Sequence, residues 1–173
     1  MIGGIPRVGK STLASLILDR NHVSSLSTDV IRNLLDFSPA KVGIKDVEES
    51  KKYEVFFPYL LQFLKIIQNK YSNYVVEGDL FLPVQVSILE RDIDVKCCFL
   101  GSSNLTLEDL KHQDPGLDWV SRFPLVEQLE LPEKFMEKSE MFRQQAVEYN
   151  YPYFDIYPDR QSTLEDAYEV LMK

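Results

Sequence analysis

GGIPRVGKST, residues 3–12, decides the reading of this 173-residue chain. Its constrained positions are Gly4, Gly9, Lys10 and Ser11, spaced G-x4-G-K-S, which fits the phosphate-binding-loop pattern in full. Glycines at those places let the backbone turn tightly, so that successive N–H groups converge on a concavity suited to phosphate oxygens. A helix starting at Lys10 adds the positive end of its dipole. The run Gly4, Ile5, Pro6, Arg7, Val8, Gly9, Lys10, Ser11 and Thr12 is therefore the candidate cradle for a nucleoside triphosphate. Lys10 is expected to reach the β- and γ-phosphates, and the Ser11 hydroxyl to ligate Mg²⁺. The plain alternative is a glycine turn ahead of a helix.

Working outward, apolar strands alternate with helical patterns. Strands are expected at Ile2 and Gly3, then over 22–28, 73–78, 94–100 and 152–157. Helices are expected from Lys10 to about Asp19 and over 46–70, 82–91, 106–112, 133–149 and 163–172. In the long 46–70 pattern, Val55, Phe56, Tyr59, Leu60, Phe63, Leu64 and Ile67 recur at helical spacing, and Pro58 should kink or divide the run. Thr106-x-x-Asp109 and Ser162-x-x-Glu165 read as helix-capping patterns. Continuous apolar strands between helices predict an α/β protein, a five-stranded parallel sheet with helices on both faces. Only 113–132 lacks a regular pattern, with Pro115, Gly116, Pro124 and Pro132, and it reads as a small lid or a long surface excursion. The whole chain, 1–173, is expected to be one domain.

Composition narrows the function. With 19 basic and 27 acidic residues the net charge is −8, which argues against coating nucleic acid or an anionic membrane. Cys97 and Cys98 are adjacent and lie in an apolar run, so they are expected to be small buried residues of a reduced protein rather than a disulfide framework. No apolar segment approaches the ~20 residues of a membrane span, and no leader pattern opens the chain, so a cytoplasmic protein is expected. Only Met1, Ile2 and Gly3 precede the loop, fewer than the roughly five residues of an ordinary strand. Either the strand is short or the natural chain starts a few residues earlier.

Two carboxylates should stand beside the phosphates. The second strand runs into Asp29 and the third into Glu77, both at the carboxyl edge, where ligands bind in open parallel sheets. One would accept a proton from, or orient, an attacking hydroxyl, and the other would order Mg²⁺. With GGIPRVGKSTLA, STDVIR, VVEGD and the late YFDI, spread over nearly the whole chain, the sequence resembles the P-loop small-molecule and nucleotide kinases. The resemblance implies the three-layer P-loop NTPase fold and ATP as the donor. It implies Asp29 as the base, Arg32 at the acceptor and Glu77 in support of Mg²⁺. Asp79 could stand in for Glu77, and the plain alternative for Asp29 is a helix N-cap.

Kinases of this kind close a lid whose arginines stabilise the transferring phosphate. Here Arg122 is the lid candidate for catalysis beside Lys10 and Asp29; Arg143 reads as a solvent-facing helix residue and Trp119 as a packing residue. Closely paired lid arginines are missing, which points to a hydroxyl rather than a nucleotide phosphate as acceptor. Lys41, Lys45, Lys51 and Lys52 could meet an anionic substrate, though Asp46, Glu48 and Glu49 interleave with them as in a solvated charge run. The expectation is an ATP-dependent kinase for a small-molecule acceptor, a monomer or homodimer with no nucleic-acid or membrane partner. A slow nucleoside triphosphatase and a nucleotide-binding regulator that has lost catalysis are the competing readings.

Overall fold

The computed structural model describes residues 1–39, 41–111 and 118–173. Five strands, β1 (Ile2–Gly4), β2 (Ser25–Ser27), β3 (Val75–Gly78), β4 (Cys98–Gly101) and β5 (Tyr153–Asp155), form one sheet in the order β2-β3-β1-β4-β5. Every neighbouring pair is parallel. The expected five-stranded parallel sheet is therefore present, with shorter strands than the apolar runs suggested. β1 has three residues yet sits at the centre, paired with β3 through Ile2–Glu77 and with β4 through Ile2–Cys98.

Parallel strands need crossovers, and helices supply them. They are α1 (Lys10–Asn21), α2 (Thr28–Phe37), α3 (Glu49–Gln68), α4 (Pro83–Leu89), α5 (Leu107–Leu110), α6 (Leu125–Glu148) and α7 (Arg160–Met172). Successive strand residues point to opposite faces, so Ile2 and Gly3 look onto different layers. Gly3 lies against the rings of Phe99 and Phe81, and Phe99 stacks on Phe142 of α6 with ring centroids 5.7 Å apart. On the Ile2 side α1 packs against β1 and against α7. The buried apolar residues of both layers join into one cluster.

Several expected boundaries move, each for a local reason. The 113–132 segment splits: 113–117 and His112 lie outside the described residues, Val120–Arg122 forms a 3-10 turn, and α6 begins at Leu125. Pro132 thus stands inside α6, where it withholds the N–H that the Gln128 carbonyl would receive. The surrounding turns are wet enough to bear this, with Leu125 and Leu129 both more than 60% exposed. α3 likewise continues through Pro58 undivided, burying Tyr53, Phe56, Leu60, Leu64 and Ile67 and leaving Tyr59 exposed. Thr106 and Asp109 do form the expected capping box. The Ser162 cap does not form: α7 starts earlier, Asp159 Oδ1 accepts from the Ser162 N–H at 3.1 Å, and Glu165 instead holds Arg20 through two bonds of 2.7 and 2.8 Å.

Cys97 and Cys98 are buried and unbridged, and burial pushes the Cys97 thiol up to about 12 and Cys98 higher in the same direction. Among the described residues no helix is long and apolar enough to cross a membrane.

One contact couples the layers at the edge that matters. Gly78 ends β3 directly under Thr28, the first residue of α2, and a methyl at Gly78 would overlap the Thr28 hydroxyl. Thr28 is fully buried and its Oγ1 has no hydrogen-bond partner among the described residues. Gly78→Ala should therefore destabilise the protein by about 1–3 kcal/mol through overpacking. Adding Thr28→Ala should recover most of that loss in urea unfolding.

Candidate functional site

β1 runs out at Gly4, and the chain then turns through Arg7, at φ 68°, and Gly9, at φ 99°, before α1 begins. Both values lie in the left-handed region, which glycine adopts freely and arginine adopts at a cost. Gly9 is the residue before α1, and no side chain caps the helix there. Its first N–H groups are thus available to a ligand, the state of an anion-binding helix start. Lys10 is 9% exposed, and its ammonium donates to the Ile5 carbonyl at 2.7 Å, across the mouth of the loop.

The neighbouring strands bring the acids. Ser27 pairs with Glu77 across β2 and β3, and both strands end at this level. Two residues past each lie Asp29, in the first turn of α2, and Asp79. Ser27, not Asp29, caps α2, its hydroxyl accepting from the Asp29 N–H at 3.3 Å, so the Asp29 carboxyl is not consumed as a cap. It pairs with Arg32 at 3.1 Å, a bond along one turn of α2. The Ser11 hydroxyl donates to Glu77 Oε1 at 3.2 Å.

The charges around this edge respond to one another. Burial lowers the Lys10 pKa from its ordinary 10.5, against the pull of Asp79, Glu77 and Asp29. Burial also raises Asp29, helped by the negative charge of Asp79 and opposed by Arg32 and Lys10. A carboxyl held above its usual range is a group suited to exchanging a proton with a hydroxyl. Ser11 and Glu77 present adjacent oxygen donors, which suit a hard cation such as Mg²⁺. Among the described residues no three His, Cys, Asp or Glu groups gather to hold a metal by themselves.

One cation of this site was not singled out from the sequence. Lys138 of α6 is 15% exposed and bonds Glu49 at 3.0 Å, approaches Asp79 at 3.9 Å and lies 5.5 Å above the Tyr53 ring. Burial works against its charge, yet Asp79, Tyr53 and Glu49 together hold its pKa above the ordinary value. Its charge is also felt by Lys10. The available signal was its position, three residues after Phe135 and beside the buried stripe of Ser139, Phe142 and Ala146. A lysine there borders the core rather than the solvent.

Other candidates go elsewhere. Arg122 is exposed on the 3-10 turn Val120–Arg122. Arg143 pairs with Glu140 through two bonds of 2.7 Å on the outer face of α6, and Trp119 packs edge-on against Phe123 and Phe135. The basic cluster does not converge: Lys51 and Lys52 pair with Glu48 and Glu49, and Lys45 lies over Phe37. A cavity of about 710 Å³ opens at the opposite end of the sheet, among Met1, Tyr74, Lys96 and Leu171. It is not the site just described.

Neither protein-family models nor curated proteins match the sequence. Solved structures do match in three dimensions. A shikimate kinase from Bacteroides thetaiotaomicron superposes with a TM-score of 0.58 at 18% identity, covering 99% of this chain and 97% of that one. A gluconokinase from Sinorhizobium meliloti 1021 gives 0.59 at 15% identity, covering 99% and 89%. A shikimate kinase from Aquifex aeolicus VF5 gives 0.50 at 16%, covering 99% and 96%. These neighbours are small-molecule P-loop kinases, and at such identity the likeness establishes the fold they share with this chain.

A buried ammonium whose pKa is lowered is a burden on the empty fold. Lys10→Met should therefore melt at or above the wild type near neutral pH. The unfolded chain keeps the Lys10 proton up to about 10.5, while the folded protein releases it earlier. Wild-type stability should accordingly gain from this group as pH rises through that window, and Lys10→Met should lack the gain. Melting scans from pH 7 to pH 10.5 read both effects.

Proposed function

We propose that this chain is a P-loop kinase that transfers the γ-phosphoryl group of ATP to a hydroxyl of a small-molecule acceptor. The observation that carries the reading is the meeting of Lys10 with Asp29, Glu77 and Asp79 at one sheet edge, directly beyond an uncapped helix start. In this reading the backbone from Gly4 to Thr12 wraps the phosphates and Lys10 spreads their charge. Ser11 and Glu77 hold Mg²⁺, which when bound shields the β- and γ-phosphate oxygens. Asp29 receives or orients the acceptor proton, and Arg32, 3.1 Å from it, sets the direction of the carboxylate. The acceptor oxygen bonds to the γ-phosphorus as the bond to the bridging oxygen breaks, leaving ADP. Arg122 is proposed as the lid cation that meets the transferring phosphate on closure. The kinase fold of the solved neighbours supports the same reading.

Asp29→Asn tests it. Phosphoryl transfer should fall by roughly 10²–10⁴-fold, the usual worth of a positioned general base. MgATP should still raise the melting midpoint, because ligand binding to the native state stabilises it by mass action and this variant leaves the loop intact. Burial raises the folded pKa of Asp29, so its contribution to stability is complete below the unfolded value of 3.8 and is lost as pH rises through the folded value. At neutral pH the asparagine variant should therefore be no less stable than wild type. A variant that keeps full transfer activity would remove Asp29 from the mechanism.

A further inference from the structure

Resting on that kinase reading, we infer that the acceptor is an uncharged polyhydroxy compound rather than a carboxylate or phosphate ester. The reason lies in how the cations paired with Asp29, Asp79 and Glu49 are already used. Arg32 is paired with Asp29 at 3.1 Å. Lys52 is paired with Glu49 at 2.9 Å. Lys138 is held from three sides, by Glu49 at 3.0 Å, by Asp79 at 3.9 Å and by the Tyr53 ring at 5.5 Å.

An acidic acceptor would have to take one of these cations from its carboxylate. Lys138 and Asp79 are the costly pair to separate, because their side chains are only 15% and 23% exposed. A carboxylate left without its partner there faces little water and the negative charge of its neighbours. A hydroxyl makes no such demand. Each carboxylate keeps spare lone pairs while it accepts from an ammonium or guanidinium, so acceptor O–H groups can bond to Asp29, Asp79 and Glu49 with every ion pair intact. Of the lysines in the segment after α2, Lys51 is paired with Glu48 and Lys45 lies over Phe37. Discrimination against an acid arises from the groups it would leave unpaired, not from steric exclusion.

Matched acceptors test this. ADP release from MgATP is measured with glucitol against gluconate, with methyl shikimate against shikimate, and with a wider set of neutral sugars and alditols. At least one neutral compound should stimulate release, and the neutral member of each active pair should exceed its acid at least tenfold in kcat/KM. The double variant Glu49→Gln/Asp79→Asn frees Lys138 and should narrow or reverse that preference. Lys138→Gln should leave the neutral preference standing. Greater stimulation by an acid in the wild type, or by no neutral compound, overturns the inference even if the double variant fails to fold. The melting shift with MgATP separates the two levels. A shift together with an acid preference overturns this inference alone, whereas no shift overturns the kinase reading and the inference with it.

Discussion

A buried ammonium at the end of the central strand organises this molecule. Lys10 lies almost out of water, bonded to the Ile5 carbonyl, and such a charge is tolerated only where opposite charges compensate the lost hydration. Asp79, Glu77 and Asp29 supply that compensation. They arrive from two different strand ends, so the site exists only if β2, β3 and β1 end at the same level. Parallel pairing of Ser27 with Glu77 and of Ile2 with Glu77 brings them there.

The same edge is held from outside by packing. Thr28 seats on Gly78 with no space for a side chain, which fixes the start of α2 against the end of β3. Asp29 follows immediately, and because Ser27 makes the cap its carboxyl pairs with Arg32 instead. On the other side, Lys138 reaches from α6 to the start of α3 and to Asp79. The charges there are thus paired before any ligand arrives, with Asp29 held above the usual carboxylate range and Arg32 and Lys138 already engaged.

The short first strand shows how little of a strand a parallel sheet requires when both neighbours bond to it. β1 contributes three residues but is paired on each side, and its apolar Ile2 is fully buried. The loop behind it is anchored by α1, whose Leu13, Ala14 and Ile17 are buried.

The sequence by itself determined the alternation of strands and helices, the glycine loop ahead of α1, and the arrival of Asp29 and Glu77 at strand ends. Those are local features, since spacing and period decide them. It did not reveal the helical start of α6 through Pro132, because a wet first turn and an engaged core face outweigh one missing hydrogen bond only once the helix is packed. Nor did it reveal Lys138, which is 59 residues from Asp79 and 89 from Glu49 and joins them only when α6 brings it to the start of α3. The basic run of residues 41–52 looked like a reception for an anion, and the tertiary structure instead turned Lys45, Lys51 and Lys52 to a nearby acid or ring. A charge's sign is written in the sequence; its partner is chosen by the fold, because ion pairs form between groups that packing brings within a few ångströms.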